Sequence, residues 1–463
     1  MTSHPPGVIA PGQPRAPRWW RWFWAGLATR LVVLVAGCWM GQWEDPCPVR
    51  GVFQEAMYSR HRERLDAGSR RAIEPWYHWD AVWYAEIAQD GYFYRPGEQS
   101  SVAFFPLLPT LMAAGASVGL DPYWVGLLLP NLAFAAGFAC FGKVAFITTG
   151  DPATAIRACA LLAAYPWSFF YSAPYNESFG FALSAAALWG WCSGLAAGPA
   201  VALGFATSAR ALSASLSAAV LAEWARDIVL RRPARHLAWI VAPAGLLGVA
   251  LYYDYLGRRF GDPLAQMKTQ AAWGRRPMSL ANLLELATVI AGRLRDNPPQ
   301  AIILLALVAW IWHSPLNRWL DRISGTTSRF ATAAAPTLLI IATANVLLYL
   351  IININFILRK DYETLIFPQF LDTTTLIFFL NLGASAWIRR GVFWGVLSIA
   401  PALMVCQTGS QMSMARLVMA SFPAFIEAAE IFAGRTSFSA ALFIMASFQL
   451  VMIYNYTNWS FCG

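Results

Sequence analysis

Charge is what this chain has least of. Only 13% of its 463 residues are Asp, Glu, Lys or Arg, against 57% hydrophobic. A soluble domain carries about 25% charged residues, and the deficit runs along almost the whole sequence, so a soluble globular fold is excluded. A bilayer core needs roughly 20 apolar residues per helical crossing, and many such segments are present. The chain therefore reads as an all-α polytopic membrane protein. Metal-type cysteine spacing is also missing: there is no CxxC, and Cys38, Cys140, Cys159, Cys192 and Cys406 lie in apolar segments as small core residues. Cys47 and Cys462 fall in segments expected outside the cell, where a disulfide between them is an option. No Gly-rich phosphate loop or nucleotide-binding pattern occurs. No internal repeat is evident, which weighs against a transporter built from inverted repeats. The net charge of +9 has no long soluble basic domain to carry it, so nucleic-acid binding is not expected. It reads as positive-inside loop bias, or more sharply as a basic outer patch for a phosphate.

Residues 1–21 are Pro-rich and read as a disordered cytoplasmic N-terminus. Arg15, Arg18 and Arg21 precede an apolar run with no small-residue cleavage pattern after it, which predicts an uncleaved first helix. Residues 22–463 read as one transmembrane domain. Hydropathy reasoning gives roughly 13 candidate spans, near 22–43, 102–120, 123–147, 155–171, 177–196, 199–221, 238–256, 299–313, 330–352, 365–387, 391–407, 415–433 and 437–456. Alternation from a cytoplasmic N-terminus puts RDIVLRRPARH, NRWLDRISGTTSR and Arg389-Arg390 inside, as the positive-inside rule requires. It puts two long loops outside, 44–101 and 257–298, and the SAPYNES turn (172–178) inside. The segment 155–171 is short for a span, and a tilted, broken or re-entrant course around a cavity is allowed.

The most informative stretch is WYHWDAVWYAEIAQDGY, residues 76–92. Trp76, Trp79, Trp83 and Ile87 recur at spacings of three and four, which predicts a helix lying in the interface with Trp at head-group level. Asp80 beside Trp79 has two readings: a solvated carboxylate, or a general base in a partly desolvated site. The crowding of His78, Asp80 and Glu86 favours the second. His78 with Asp80 makes only two ligands, too few to predict a metal. Pro106 and Pro109 suit a first helical turn. Asn176 and Glu177 read as a helix N-terminus or as a polar site. Arg30 and Arg210 lie within apolar segments and call for partners. Arg416 either snorkels or meets a phosphate. Arg258, Arg259, Lys268, Arg275 and Arg276 form a basic outer loop suited to an anionic head group. Asp372 and Glu427 are further acids in apolar segments and support an ion-coupled transporter as the alternative.

Five elements occur in order: HWDAVWYAEIAQDGY, AFFPLLPTL, SAPYNES, ATSAR and FGDPLAQMKTQAAWGR. Together they resemble the mannosyltransferase family that includes GPI mannosyltransferase II (PIG-V-type), over roughly residues 20–435. The resemblance implies a GT-C-type fold of roughly 11–13 transmembrane helices with interfacial helices in the first outer loop. It implies inverting transfer of mannose from a polyprenyl-phosphate donor to an extracytoplasmic lipid-linked or glycan acceptor. Asp80 would be the general base, with Trp79 packing beside it. His78, Trp79, Glu86, Asn176, Glu177, Arg210, Gln270 and Trp273 would contact substrate. For the donor phosphate, Arg275, Arg276, Arg359, Lys360 and Arg416 are the candidates because all lie in or beside expected outer loops. No cofactor is implied. The Pro-rich N-terminus and Ala/Arg/Trp-rich usage suggest a bacterial member in the plasma membrane. A transporter or flippase of a lipid-linked saccharide, using Asp372, Glu427 and Arg210, is the alternative, and a non-catalytic scaffold the third reading.

Overall fold

The computed structural model describes residues 18–41, 52–312 and 366–458, apart from residues 66, 235, 299, 303, 306, 307 and 310. No strand occurs among the described residues. Among the described residues, five helices are long and apolar enough to cross a membrane: Trp19–Met40 (α1), Pro122–Thr149, Ala238–Phe260, Leu371–Arg390 and Arg435–Thr457. The protein is therefore an integral membrane protein. Shorter apolar helices pack among the long ones and bring their broken ends together at one end of the bundle.

The first loop carries α2 (Val52–Arg64), α3 (Ala67–Ile73), α4 (Asp80–Asp90) and α5 (Leu107–Ser117). The expected crossing at 102–120 is not one. With 11 residues, α5 is about 17 Å long at 1.5 Å per residue, shorter than the expected segment. Both of its ends also stay on the same side. The Leu108 amide donates to Asn176 Oδ1 at 3.0 Å. Just beyond α5, the Tyr123 hydroxyl lies 2.7 Å from His61 Nδ1, and its carbonyl accepts from the Tyr77 hydroxyl at 2.8 Å. Pro122–Thr149 (α6) then runs to the far end, and α7 (Pro152–Ala164) returns. The SAPYNES turn thus sits at the end that carries Asp80.

The expected span 199–221 is two helices, α9 (Ala197–Ala209) and α10 (Ser215–Val229), after α8 (Glu177–Cys192). They are joined by a tight turn at Ala211–Ala214. Arg210 sits at that break, with an extended backbone at φ −154°, and not inside a span. Arg226, near the end of α10, lies beside Gly391, so the basic segment after α10 shares an end with Arg389 and Arg390.

The remaining described helices include α11 (Ala238–Phe260), α12 (Ala265–Thr269), α13 (Leu280–Asp296), α14 (Ile366–Arg390), α15 (Val392–Cys406), α16 (Met414–Leu417), α17 (Ala424–Ile431) and α18 (Arg435–Thr457). At the far end, Glu427 takes ion pairs from Arg389 (3.1 Å) and Arg390 and a hydrogen bond from Ser385 at 3.2 Å. Its charge is matched there, so it does not offer the free acid that the transporter alternative invoked.

Ending α7 at Ala164, inside an apolar bundle, leaves carbonyls that need donors. Arg30 of α1 supplies them, donating to Ser168 O at 2.5 Å and Ala163 O at 3.2 Å while lying 4.2 Å from the Phe134 ring centroid. Gln449 of α18 adds bonds to Ala163 O (3.1 Å) and Tyr165 O (3.0 Å). Arg30 is therefore a structural residue.

The tryptophans of the first loop are core side chains rather than head-group anchors, which corrects the interfacial stripe. Trp76 is 0% and Trp83 1% exposed. Helix α4 begins only at Asp80, so Trp76 and Trp79 do not share its face. Trp76 packs where α1 has Gly37; a Cβ at that glycine would overlap the indole ring.

Candidate active site

Asp80 is the first residue of α4, where the N-terminal end of the helix dipole favours a carboxylate. The chain reaches it through Trp79, whose φ of 53° is a left-handed value that bulky residues rarely adopt. Neighbouring hydroxyls hold this corner. The Asp80 amide donates to the Tyr175 hydroxyl at 3.1 Å, which itself donates to His78 O at 3.2 Å. The Tyr456 hydroxyl reaches Trp76 O (2.8 Å) and His78 O (3.1 Å), and His78 Nδ1 donates to Tyr456 O at 2.9 Å. Burial pushes the His78 imidazole down to about 4, so near neutrality it is an uncharged donor.

Arg416 comes from the opposite side on the four-residue helix α16. Ser413, just before α16, also has a left-handed φ of 63°. The Ala415 amide donates to Asp372 Oδ1 at 2.8 Å, and the Tyr165 hydroxyl donates to Ala415 O at 2.7 Å. Asp372 thus anchors α16. So held, Arg416 donates from Nη1 to Asp80 Oδ2 at 2.8 Å, and its Nε lies 3.5 Å from Glu177 Oε1. Its guanidinium lies 5.1 Å from the Phe170 ring centroid and 5.5 Å from that of Tyr175. Glu177, at the start of α8, also ion-pairs with Arg210. The result is a continuous chain of alternating charge: Asp80, Arg416, Glu177, Arg210.

These residues line a cavity of about 430 Å³. Arg275 lines it too and differs from the others. Its Nη2 donates to the Met412 carbonyl at 3.2 Å, and among the described residues no carboxylate lies within ion-pair distance of it. Burial, then repulsion from Arg416 and Arg210, pushes this guanidinium down to about 10. A half-buried cation among cations is the local signature of a site that receives an anion. Arg276, also on the wall, pairs with Glu285 at 2.8 Å. Trp79, Gln270 and Trp273 complete the sequence-selected lining. Trp273 packs edge-on against Trp83 and Phe104, with centroids 5.8 and 5.9 Å apart.

The other sequence-selected residues lie elsewhere. His78 is turned to Tyr456. Glu86 pairs behind α4 with Arg60 (2.7 Å) and His61 (3.0 Å). The Asn176 amide accepts from Leu108 N and donates to Phe105 O at 2.9 Å, tying α5 to α8. Lys268 and Arg258 pair on the surface with Asp262 and Asp254. Arg359 and Lys360, like Cys47 and Cys462, lie outside the described residues. Sequence reasoning missed the cavity positions of Tyr84 and Gln266 and a wall of Met267, Met278, Met404 and Met412. Tyr84 had a signal, being one helical turn after Asp80; the methionines had none.

The arrangement defines an integral membrane protein with a charged cavity at one end of its helical bundle, suited to an anionic, hydroxyl-bearing substrate. Residues 52–253 match the family model described as Mannosyltransferase (PIG-V), which places that segment in the PIG-V-type mannosyltransferase family. The match supports a glycosyltransferase acting on mannose, with a sugar donor and an acceptor as substrates. The matched segment contains Asp80, Glu177 and Arg210; Arg275 and Arg416 lie beyond it. No curated protein matches the chain.

Proposed function

We propose that the protein transfers mannose from a polyprenyl-phosphate donor to a hydroxyl of a lipid-linked or glycan acceptor, with inversion at the anomeric carbon. Asp80 takes the hydroxyl proton as the acceptor oxygen bonds to C1. The bond from C1 to the phosphate oxygen breaks, and polyprenyl phosphate leaves with the electron pair. Arg275 receives the phosphate, assisted by Arg210 and Arg416, so that developing negative charge meets fixed positive charge. Trp79, Gln270 and Trp273 flank the sugar. A phosphate is a good leaving group already, and the reading calls on no cofactor.

The observation that carries this reading is Arg275: a half-buried guanidinium without an acid partner among the described residues, in the same cavity as Asp80. The proposed face is extracytoplasmic and the proposed membrane a bacterial plasma membrane. The clustering of Arg226, Arg389 and Arg390 at the opposite end supports that orientation through the positive-inside rule. The test uses purified protein, radiolabelled polyprenyl-phosphate mannose and native membranes as acceptor source. Label appearing in a new glycosidic linkage supports the reading. Donor moved across proteoliposomes with no new linkage overturns it in favour of a transporter.

A further inference from the structure

Glu177 is a carboxylate of the cavity that the transfer step leaves without a task. Its side chain is 4% exposed, an expensive place for a charge without strong reasons to keep it. One oxygen, Oε1, serves both Arg210 and Arg416. The other, Oε2, is buried and has no hydrogen-bond partner. Arg416 carries the matching surplus: its Nε is buried and makes no hydrogen bond, although it lies 3.5 Å from Glu177 Oε1. The guanidinium rests on the faces of Phe170 and Tyr175, a bed that tolerates a small slide without a new polar partner. Arg416 therefore has an occupied seat on Asp80 and a second, half-made seat on Glu177.

We propose that Glu177 is a positioning residue that takes Arg416 over from Asp80 as Asp80 accepts the acceptor's proton. This rests on the reading of Asp80 as the base. In the resting site Asp80 is an anion held by Arg416. During transfer the acceptor O–H bond breaks, its oxygen bonds to C1, and the C1–O(phosphate) bond breaks. The proton ends on Asp80 and the extra negative charge on the departing phosphate beside Arg275. Asp80 is then neutral and no longer matches Arg416, which closes onto the spare acceptor of Glu177. Without Glu177, Arg416 would stay against Asp80 and oppose its protonation.

The charged and titratable groups facing Asp80 are Arg416 on α16, Glu177 on α8, Arg210 at the α9 break, Arg275 before α13, and the Tyr84 and Tyr175 hydroxyls, with Asp372 of α14 behind α16. The inference predicts opposite effects at two of them. Glu177→Gln keeps Arg416 on Asp80. It lowers kcat about 10- to 100-fold, leaves donor KM within about threefold, and moves the acid limb of the kcat profile to lower pH. Arg210→Gln leaves Glu177 freer to draw Arg416 away and moves the limb to higher pH. Glu177→Asp restores the limb in part. Thermal unfolding of each variant checks the fold, and Arg210→Gln stands as the test should Glu177→Gln not fold. An unmoved limb in folded variants, or a raised KM with kcat intact, overturns the inference and leaves the function standing. Full turnover in folded Asp80→Asn overturns the base assignment itself.

Discussion

Asp80 Oδ2 and Arg416 Nη1 meet at 2.8 Å across 336 positions of sequence. A left-handed non-glycine residue lies shortly before each: Trp79 with φ 53° and Ser413 with φ 63°. Such conformations cost on the order of 1–3 kcal/mol each and persist where the surroundings over-determine them. The surroundings here are the Tyr175 and Tyr456 hydroxyls on one side and Asp372 with Tyr165 on the other. The pairing is built by two strained corners, each braced from a distant part of the chain.

The Ser413 corner gives the first prediction. Ser413→Gly removes the Cβ penalty, and the expected outcome is unchanged or slightly raised thermal stability with activity retained. Ser413→Val adds a β-branched side chain to the same φ and costs about 1–2 kcal/mol. Because it displaces α16, it lowers kcat more than the stability loss alone would. Paired thermal melts and kinetics check this; equal behaviour of the two variants would contradict the strain argument.

Arg275 predicts a trade between activity and stability. Arg275→Met removes a charge that desolvation and the neighbouring Arg416 and Arg210 disfavour, so thermal stability is expected to be unchanged or raised. Donor kcat/KM should fall about 100- to 1000-fold as a phosphate contact is lost. The pH sign follows from burial, which pushes this guanidinium down to about 10 against an ordinary 12.5. The folded state releases the proton before the unfolded one does, so the burial penalty is full below pH about 10 and fades above it. Donor binding, which needs the cation, weakens as pH rises through about 10. A Met variant that melts lower and keeps its donor KM would sink the assignment.

Gly37 controls the same corner from α1. A Cβ at this position overlaps Trp76, so Gly37→Ala is expected to cost about 1–3 kcal/mol by overpacking. It also lowers kcat, because the Trp76–Trp79 segment carries Asp80. Trp76→Phe in the Gly37→Ala background should recover part of both losses, measured as a double-mutant cycle.

His78 predicts an acid-side stability loss. Its imidazole is held down to about 4 by burial, whereas the unfolded chain takes up the proton near the ordinary value of 6.5. Its contribution is present above pH 6.5 and lost as pH falls toward 4, about 3 kcal/mol at 1.36 kcal/mol per unit. The thermal midpoint of the wild type should fall over that window more steeply than that of His78→Gln; parallel slopes would rule the residue out.

Much of the site was legible because charge is costly in an apolar chain. Asp80, Glu177, Arg210 and Arg416 stood out against their surroundings, and they do meet. Their wiring was not legible. Periodicity joined Trp76 and Trp79 to α4, but the left-handed Trp79 ends that register. Hydropathy measures apolarity rather than length, so it counted the short α5 as a crossing and fused α9 with α10 across Arg210. His78, Glu86 and Asn176 were chosen as polar residues near the motif, yet each is spent on tying helices together. Nothing in the spacing of Tyr175, Tyr456 or Asp372 reveals that they brace the two corners, because those contacts join distant segments.

The central claim is tested most directly by Asp80→Asn in purified, folded protein. The assay is transfer of radiolabelled mannose from polyprenyl-phosphate mannose to native membrane acceptors, with the melting profile as fold control. The account predicts that kcat falls about 10²- to 10⁴-fold, the usual contribution of a general base, while donor KM stays within a few-fold because Arg275 is untouched. Wild-type turnover by the folded Asn variant would contradict it.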